Sequence, residues 1–356
     1  MEHRKHLNDQ IVGWITEKAK TAFPEDIALV LIYGSYINGT ANEKSDVDCY
    51  YIPKTKRAYE FSKTFILEGV GYDIYPIPWE RVERIASLQE GMCPLVGDVK
   101  ILFCSSPEDA ARFAAAQETL RQSLADDAVI ADAVKKYGAY AASFCTVLQN
   151  AKTLKEARLA AGRIAMAMAD IAAFYHHDYY HCGLKKQYED LQKIPGLPAS
   201  VVAHYRGVTE AKTTETVIEA AMNLFREVCA HVGIPDTLPE AEEHAPVPVA
   251  VPNASYLAGL YEEICSTFHK IYRCCKTGNA VLAFLSAVCL QRDLDQAWEE
   301  AGCPPFDLLT CFDDQNLAPL EKAARAAEEV LIRTITENGG TLKQYDSFAA
   351  FEAAHL

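Results

Sequence analysis

An α+β fold is predicted for this chain: a small mixed-sheet domain followed by all-α bundle domains. Two observations predict it. Up to about residue 104, apolar runs of strand length alternate with turn signals, as in Ile27–Tyr33 and Val70–Ile77. From about residue 108 the composition turns Ala-rich and takes on helical periodicity. A length of 356 residues suggests two or three domains.

Each element follows in order. Residues 4–22 read as an amphipathic helix with Leu7, Ile11, Trp14, Ile15 and Ala19 on one face, ended by Pro24. Ile27 to Tyr33 reads as a buried strand that stops at Gly34-Ser35, and Ser35 is expected to open a short helix. A second strand begins near Asp46-Val47-Asp48 and runs into Tyr50, Tyr51 and Ile52. Residues 58–64 read as helical, Glu68-Gly69 as a hairpin turn, and Val70–Ile77 as a strand interrupted by Asp73. Trp79–Ile85 reads as a helix, and Val99–Cys104 as a last apolar run. Ser105-Ser106-Pro107-Glu108 looks like an N-cap with Pro early in the helix. Helices are then expected over 108–124, 127–150, 154–182, 184–193, 198–206 and 213–232. Five prolines and an acidic run mark 235–252 as extended linker, and helices are expected again over 254–275, 278–300 and 316–338, before a short amphipathic tail.

The chemistry concentrates in residues 33–51. Asp46 and Asp48 stand two apart, so on a strand they share a face. Two carboxylates side by side repel unless a cation sits between them. Hard oxygen donors at that spacing suit Mg²⁺, which takes one or two carboxylates plus substrate phosphates. Gly34 lets the backbone approach a ligand closely, and N–H groups opening a helix at Ser35 favour phosphate.

The order Tyr33-Gly34-Ser35, nine intervening residues, then Ser45-Asp46-Val47-Asp48 resembles the DNA polymerase β-like nucleotidyltransferase superfamily. The resemblance covers roughly residues 1–110. It implies Mg²⁺-dependent transfer of a nucleotidyl group, AMP from ATP or another NTP, to a hydroxyl. Asp46 and Asp48 would bind metal. Asp73 would be the third acidic residue of the site, either a metal ligand beside the acceptor or the general base on its hydroxyl. Glu68 is a nearby rival that looks like a turn residue. Gly34 and Ser35 would hold the nucleotide's phosphates. Lys44 would neutralise phosphate charge or stay a solvated loop lysine. Lys185 and Lys186 would reach the triphosphate from the second domain or complement a helix end. More loosely, the helical part resembles the accessory bundles of small-molecule nucleotidyltransferases that modify antibiotics. The implied organisation is a nucleotidyltransferase domain at 1–110, a helical accessory or acceptor domain at 111–234, a Pro-rich linker at 235–253 and a C-terminal helical domain at 254–356.

Two weaker patterns stand outside that frame. His177 and His181 are four apart and would share a helix face, as an interface or as metal ligands. Arg226 and His231 have the Arg-x4-His spacing of small helical ribonuclease domains, a spacing that arises easily by chance.

Composition narrows the partners. Net charge is −15 and no basic stripe is visible, which argues against a long nucleic-acid substrate. No apolar run approaches the roughly 20 residues that span a bilayer. Twelve cysteines lie scattered without a Cys-x-x-Cys pair, and the charged N-terminus lacks a signal's apolar core. The expectation is a cytoplasmic enzyme acting on a small hydroxylated acceptor. The alternative is a regulatory or toxin–antitoxin-type protein that keeps the nucleotide fold and acts on a protein or tRNA.

Overall fold

The run Ile27–Tyr33 forms β1, buried along nearly its whole length because both its faces are covered. In this computed structural model, residues 2–240 and 251–355 are described. Helix α1 (Glu2–Ala22) precedes β1. After it come β2 (Asp48–Pro53), β3 (Lys63–Leu67) and β4 (Val70–Pro76), then α2 (Trp79–Ala86), α3 (Pro94–Gly97) and β5 (Lys100–Cys104). A two-residue strand near the other end, β6 (Gln344–Tyr345), completes a sheet of order β5-β1-β2-β4-β3-β6. The sheet is mixed: β2 runs parallel to β4 and β3 to β6, while the remaining pairs are antiparallel.

Side-chain alternation sorts the sheet into two faces. Val30, Ile32, Cys49, Tyr51, Phe65, Tyr72 and Ile74 pack under α1 and a late helix, α13 (Phe348–Ala354), around Trp14 and Phe351. Leu29, Leu31, Tyr50 and Ile52 face the other way. They join a second core that runs through α2 and α4 (Pro107–Ala125) into the helical part.

That part begins where expected. Ser106 caps α4 by accepting from Asp109 N–H at 3.1 Å, with Pro107 in the first turn. Helices α5 (Asp127–Gln149), α6 (Leu154–Tyr175), α7 (Gln187–Leu191), α8 (Ala199–Glu210) and α9 (Thr214–Val232) follow. Thr153 and Glu156 form a capping box at the start of α6, and Gly233, at φ 73°, ends α9. Beyond come α10 (Ala254–Thr277), α11 (Ala280–Ala301) and α12 (Ala318–Glu337). Most of the stretch read as a linker, residues 241–250, lies outside the described residues.

Four local readings are corrected. The helix expected over 154–182 stops at Tyr175, because His177 adopts a left-handed φ of 60° and turns the chain. The helix expected over 184–193 is a 3-10 turn, Gly183–Lys185, followed by the short α7. The helix expected over 58–64 is a 3-10 segment, Lys56–Phe61. The helix expected at Ser35 is a single 3-10 turn, Gly34–Tyr36, too short to present a helix N-terminus to phosphate.

The stretch read as a separate C-terminal domain packs onto the sheet. Helix α10 crosses the face of β4 and β3, and Gly71 makes this possible. A Cβ at Gly71 would stand 2.5 Å from Cys265 Sγ and 2.7 Å from the Glu262 carbonyl oxygen. The buried Glu262 carboxylate then accepts from Lys343 N–H at 2.7 Å, leading the chain into β6.

Candidate active site

Register brings the acidic residues together. Cys49 is aligned with Ile74 in the parallel pair, so one step earlier Asp48 lies beside Asp73 on the neighbouring strand, with both side chains on one face. Asp48 is also opposite Tyr33 on β1, and Asp73 opposite Thr64 on β3. Asp46 lies two residues before Asp48, at the end of the loop that follows Gly34.

That loop is pinned from beneath by α1. The buried Asn8 donates its side-chain amide to the carbonyls of Ser45, at 3.1 Å, and Asp46, at 3.3 Å. Arg4 donates to the Glu43 carbonyl at 3.2 Å and to Tyr72 Oη at 3.2 Å. The Ser45 hydroxyl oxygen accepts from Asn42 N–H at 2.9 Å and from the Asn42 side-chain amide at 2.8 Å. The serine before Asp46 therefore shapes the turn rather than facing a ligand.

Gly34, at φ 72°, sits directly under Asp48: a Cβ there would stand 2.1 Å from Asp48 Oδ2. Any other residue would push the carboxylate aside. The Ser35 amide lies near the Asp48 carboxylate and acts to lower its pKa against the effect of burial. Thr64 Oγ1 donates to Asp73 Oδ1 at 3.0 Å.

Burial pushes the Asp46, Asp48 and Asp73 carboxyls above the usual carboxylate range. Asp46 is raised further by the charge of Asp48, and both are partly relieved by Lys270. Among the described residues, no three His, Cys, Asp or Glu groups are already drawn together into a metal-binding cluster. The three carboxylates are neighbours, not a closed ligand sphere, as mutual repulsion dictates.

The other predicted residues divide. Lys185 lines the cleft, donating to the Thr40 carbonyl at 2.7 Å and to Thr40 Oγ1 at 3.1 Å, and so ties the second region to the loop after Gly34. Burial, then the nearby Arg273 and Lys270, lowers the Lys185 ammonium's pKa. Lys44 is exposed at the rim, its ammonium 3.6 Å from where a Cβ on Gly69 would stand. Glu68 is a turn residue at φ 49°, paired with His3. His177 and His181 share no helix face: His177 Nδ1 meets the Leu124 carbonyl at 2.6 Å, and His181 Nδ1 meets Asp98 at 2.8 Å. His231 is taken up by a stacked pair with His176, Nε2 to Nε2 at 3.1 Å.

Sequence reasoning missed what α10 contributes. Lys270 and Arg273 project from it into the cleft, and Glu263 on the same helix is raised by burial and then by the charge of Asp73. Positions 263, 266, 270 and 273 recur at helical spacing, but on an isolated helix they read as a solvated face. The resulting cleft, about 1060 Å³, opens between the sheet end, α6, the Gly183–Lys185 turn and α10. Carboxylates line its sheet side, and Lys185, Lys270 and Arg273 line the helical side opposite.

Comparison with known proteins adds the following. No family model matches the chain. A protein of Methanocaldococcus jannaschii named "putative protein adenylyltransferase" is 33% identical over 108 residues, which make up 28% of this chain and 73% of that one. A crystal structure of a nucleotidyltransferase-like protein from Exiguobacterium sibiricum aligns over 64% of this chain and 74% of that one, at 13% identity and a TM-score of 0.36, too low to carry weight.

Proposed function

The chain belongs to the DNA polymerase β-like nucleotidyltransferase superfamily, and from that premise we propose that it transfers AMP from ATP, with Mg²⁺, to a hydroxyl of a small-molecule acceptor. The observation that carries the reading is the juxtaposition of Asp48 and Asp73 on one sheet face, with Asp46 beside them and cations across the cleft.

The donor set fits Mg²⁺. It offers hard carboxylate oxygens, crowded and partly desolvated, which an added cation would relieve. Asp46 and Asp48 would hold it, with Asp73 at the acceptor side. Bound there, Mg²⁺ would offset charge building on the attacking and leaving oxygens. The chain's own residues do the rest. Gly34 lets the Asp48 carboxylate sit close over the turn, where any side chain would push it aside. Lys185, Lys270 and Arg273 bind the β- and γ-phosphates, which leave as pyrophosphate. The acceptor oxygen bonds the α-phosphorus as the bond to the bridging oxygen breaks. Asp73 either takes the hydroxyl proton or orients the hydroxyl while water takes it.

A cleft of about 1060 Å³ walled by this chain's own helices supports a small acceptor, since it has room for a nucleotide and a modest second molecule. The name of the M. jannaschii relative favours a second reading, a protein hydroxyl as acceptor. Twelve free thiols, and the lack of any helix among the described residues long and apolar enough to cross a membrane, accord with a cytoplasmic site of action.

The test is incubation with Mg²⁺ and ATP labelled at its α-phosphate, separately with a small-molecule filtrate and the protein fraction of a cell extract. Label in the filtrate that is lost with Asp48→Asn supports the proposal. Label confined to protein moves it to the second reading. Transfer that persists in Asp48→Asn overturns the site.

A further inference from the structure

Two polar side chains interrupt the apolar face of α1. Arg4 and Asn8 stand one turn apart, in line with Leu7, Ile11 and Ile15, and both are buried. An apolar residue would pack there without desolvation cost, whereas a buried polar group has to find hydrogen-bond partners. Asn8 finds them in the two segments that carry the acidic site. Its nitrogen donates to the Ser45 carbonyl at 3.1 Å and to the Asp46 carbonyl at 3.3 Å. Its Oδ1 accepts from Tyr72 Oη at 2.5 Å. The orientation of the amide is fixed, because carbonyls only accept and therefore face the nitrogen. Arg4 donates to Tyr72 Oη at 3.2 Å, which directs the tyrosine's own proton to Asn8.

Those bonds join two pieces of chain that strand pairing leaves apart. Tyr72 immediately precedes Asp73 on β4, with its side chain in the α1 core while Asp73 turns to the other face. Asp46 lies before β2 begins, and the aligned pairs of β2 and β4 start at Cys49 and Ile74. Of the three acidic residues, Asp46 is thus the one that the sheet does not hold. Charge works against its position as well: besides burial, the like charges of Asp48 and Asp73 bear on it. Unopposed, that repulsion would carry the loop and its carboxylate outward.

We propose that Asn8 is a positioning residue that acts through the backbone of the loop. By tying Ser45 and Asp46 to Tyr72, it holds the Asp46 carboxylate beside Asp48 and Asp73 before any cation arrives. This inference rests on the Mg²⁺-dependent reading of the site and gives α1 a part in it. A cation entering the site meets carboxylates that are already ordered. Without the tie, the cation has to order the loop itself, and its affinity falls by that cost. Removing a group that orients metal ligands in this way typically lowers metal affinity about 10–100-fold.

The experiment titrates Mn²⁺ alone into the full chain, followed by electron paramagnetic resonance, beside thermal melts. Asn8→Leu keeps the side chain's approximate size and removes its hydrogen bonds. It is expected to weaken Mn²⁺ binding about tenfold or more. Tyr72→Phe keeps the ring and releases the other end of the tie, so it should weaken binding in the same direction but less. Phe351→Ala lies in the same core and outside the tie. It should lower the melting temperature and leave Mn²⁺ affinity per folded molecule unchanged. Parent-like Mn²⁺ affinity in Asn8→Leu overturns the proposal. So does an equal loss in Phe351→Ala, which would trace the effect to a loosened core. If Asn8→Leu does not fold, parent-like affinity in Tyr72→Phe overturns it. Mn²⁺ binding that survives Asp48→Asn removes the metal site, and this inference with it. Asp48-dependent binding without AMP transfer removes the transfer reading alone, and failure of the Asn8 variants leaves AMP transfer standing.

Discussion

The two faces of the sheet are built from the same strands and do different work. Along β2, Cys49 and Tyr51 point to α1 and α13 and are wholly buried in apolar surroundings. Asp48, one residue earlier, points to the opposite side, where Tyr50 and Ile52 are covered by helices but the strand's beginning is left open to the cleft. Likewise Tyr72 and Ile74 of β4 enter the α1 core while Asp73 between them does not. Alternate positions on one strand thus carry stability and chemistry separately, and substitutions one residue apart should fail in different ways.

The largest effect should come from the open face. Asp48→Asn is expected to lower AMP transfer roughly a thousandfold or more while the melting temperature stays level or rises, because a repelling, desolvated carboxylate is removed. Transfer assays beside thermal melts would show it, and a large drop in melting temperature would blur the separation of the faces.

Next comes the closed face. Phe351 is fully buried, stacked on Phe65 at 4.3 Å between ring centroids and edge-on to Trp14 at 4.9 Å. Phe351→Ala should cost about 3–5 kcal/mol by denaturant unfolding, with turnover per folded molecule little changed.

Gly71→Ala joins the two behaviours. Its methyl would collide with the Glu262 carbonyl and Cys265, costing about 1–3 kcal/mol. It should also shift α10, which carries Lys270 and Arg273. The Michaelis constant for ATP should therefore rise more than turnover falls. Unchanged ATP kinetics would mean that α10 does not serve the phosphate end.

The smallest effect is a pH dependence. The Asp170 carboxyl is raised in the folded state to about 7, above its unfolded value of about 3.9. The folded protein then binds more protons than the unfolded chain between those values. Stability lost to this group above pH 7 is regained as pH falls through 7. Melting temperature from pH 8 to 6 should rise more steeply in the parent than in Asp170→Asn. Comparison with that variant is needed because Asp46, Asp48, Asp73 and Glu263 shift in the same direction.

The contrast between faces also explains what the sequence could reveal. Asp46, Asp48, Gly34 and Ser35 were legible because order along one short segment and strand parity place them together. Asp73 was legible because a lone carboxylate in an apolar strand stands out. Lys270 and Arg273 were not, since cations on an amphipathic helix look the same whether they meet water or a substrate, and only the packing of α10 on Gly71 decides between the two. The overextended helix over 154–182 has a similar cause. Nothing before Gly183 breaks helical composition, and the turn at His177 is held by tertiary contacts such as the Leu124 carbonyl. Strand β6 is two residues long and carries no periodicity to read.

That short strand has a consequence for how the molecule is made. Ile66 N–H donates to the Lys343 carbonyl at 2.8 Å, and Glu68 N–H to the Tyr345 carbonyl at 2.9 Å. Until residues 343–345 emerge from the ribosome, the outer rim of β3 has no partner, while every other strand of the sheet has long been available. A nascent chain in that condition offers an open edge to its neighbours. Assembly should therefore finish at this seam, which leaves the edge of β3 open for the longest time during synthesis.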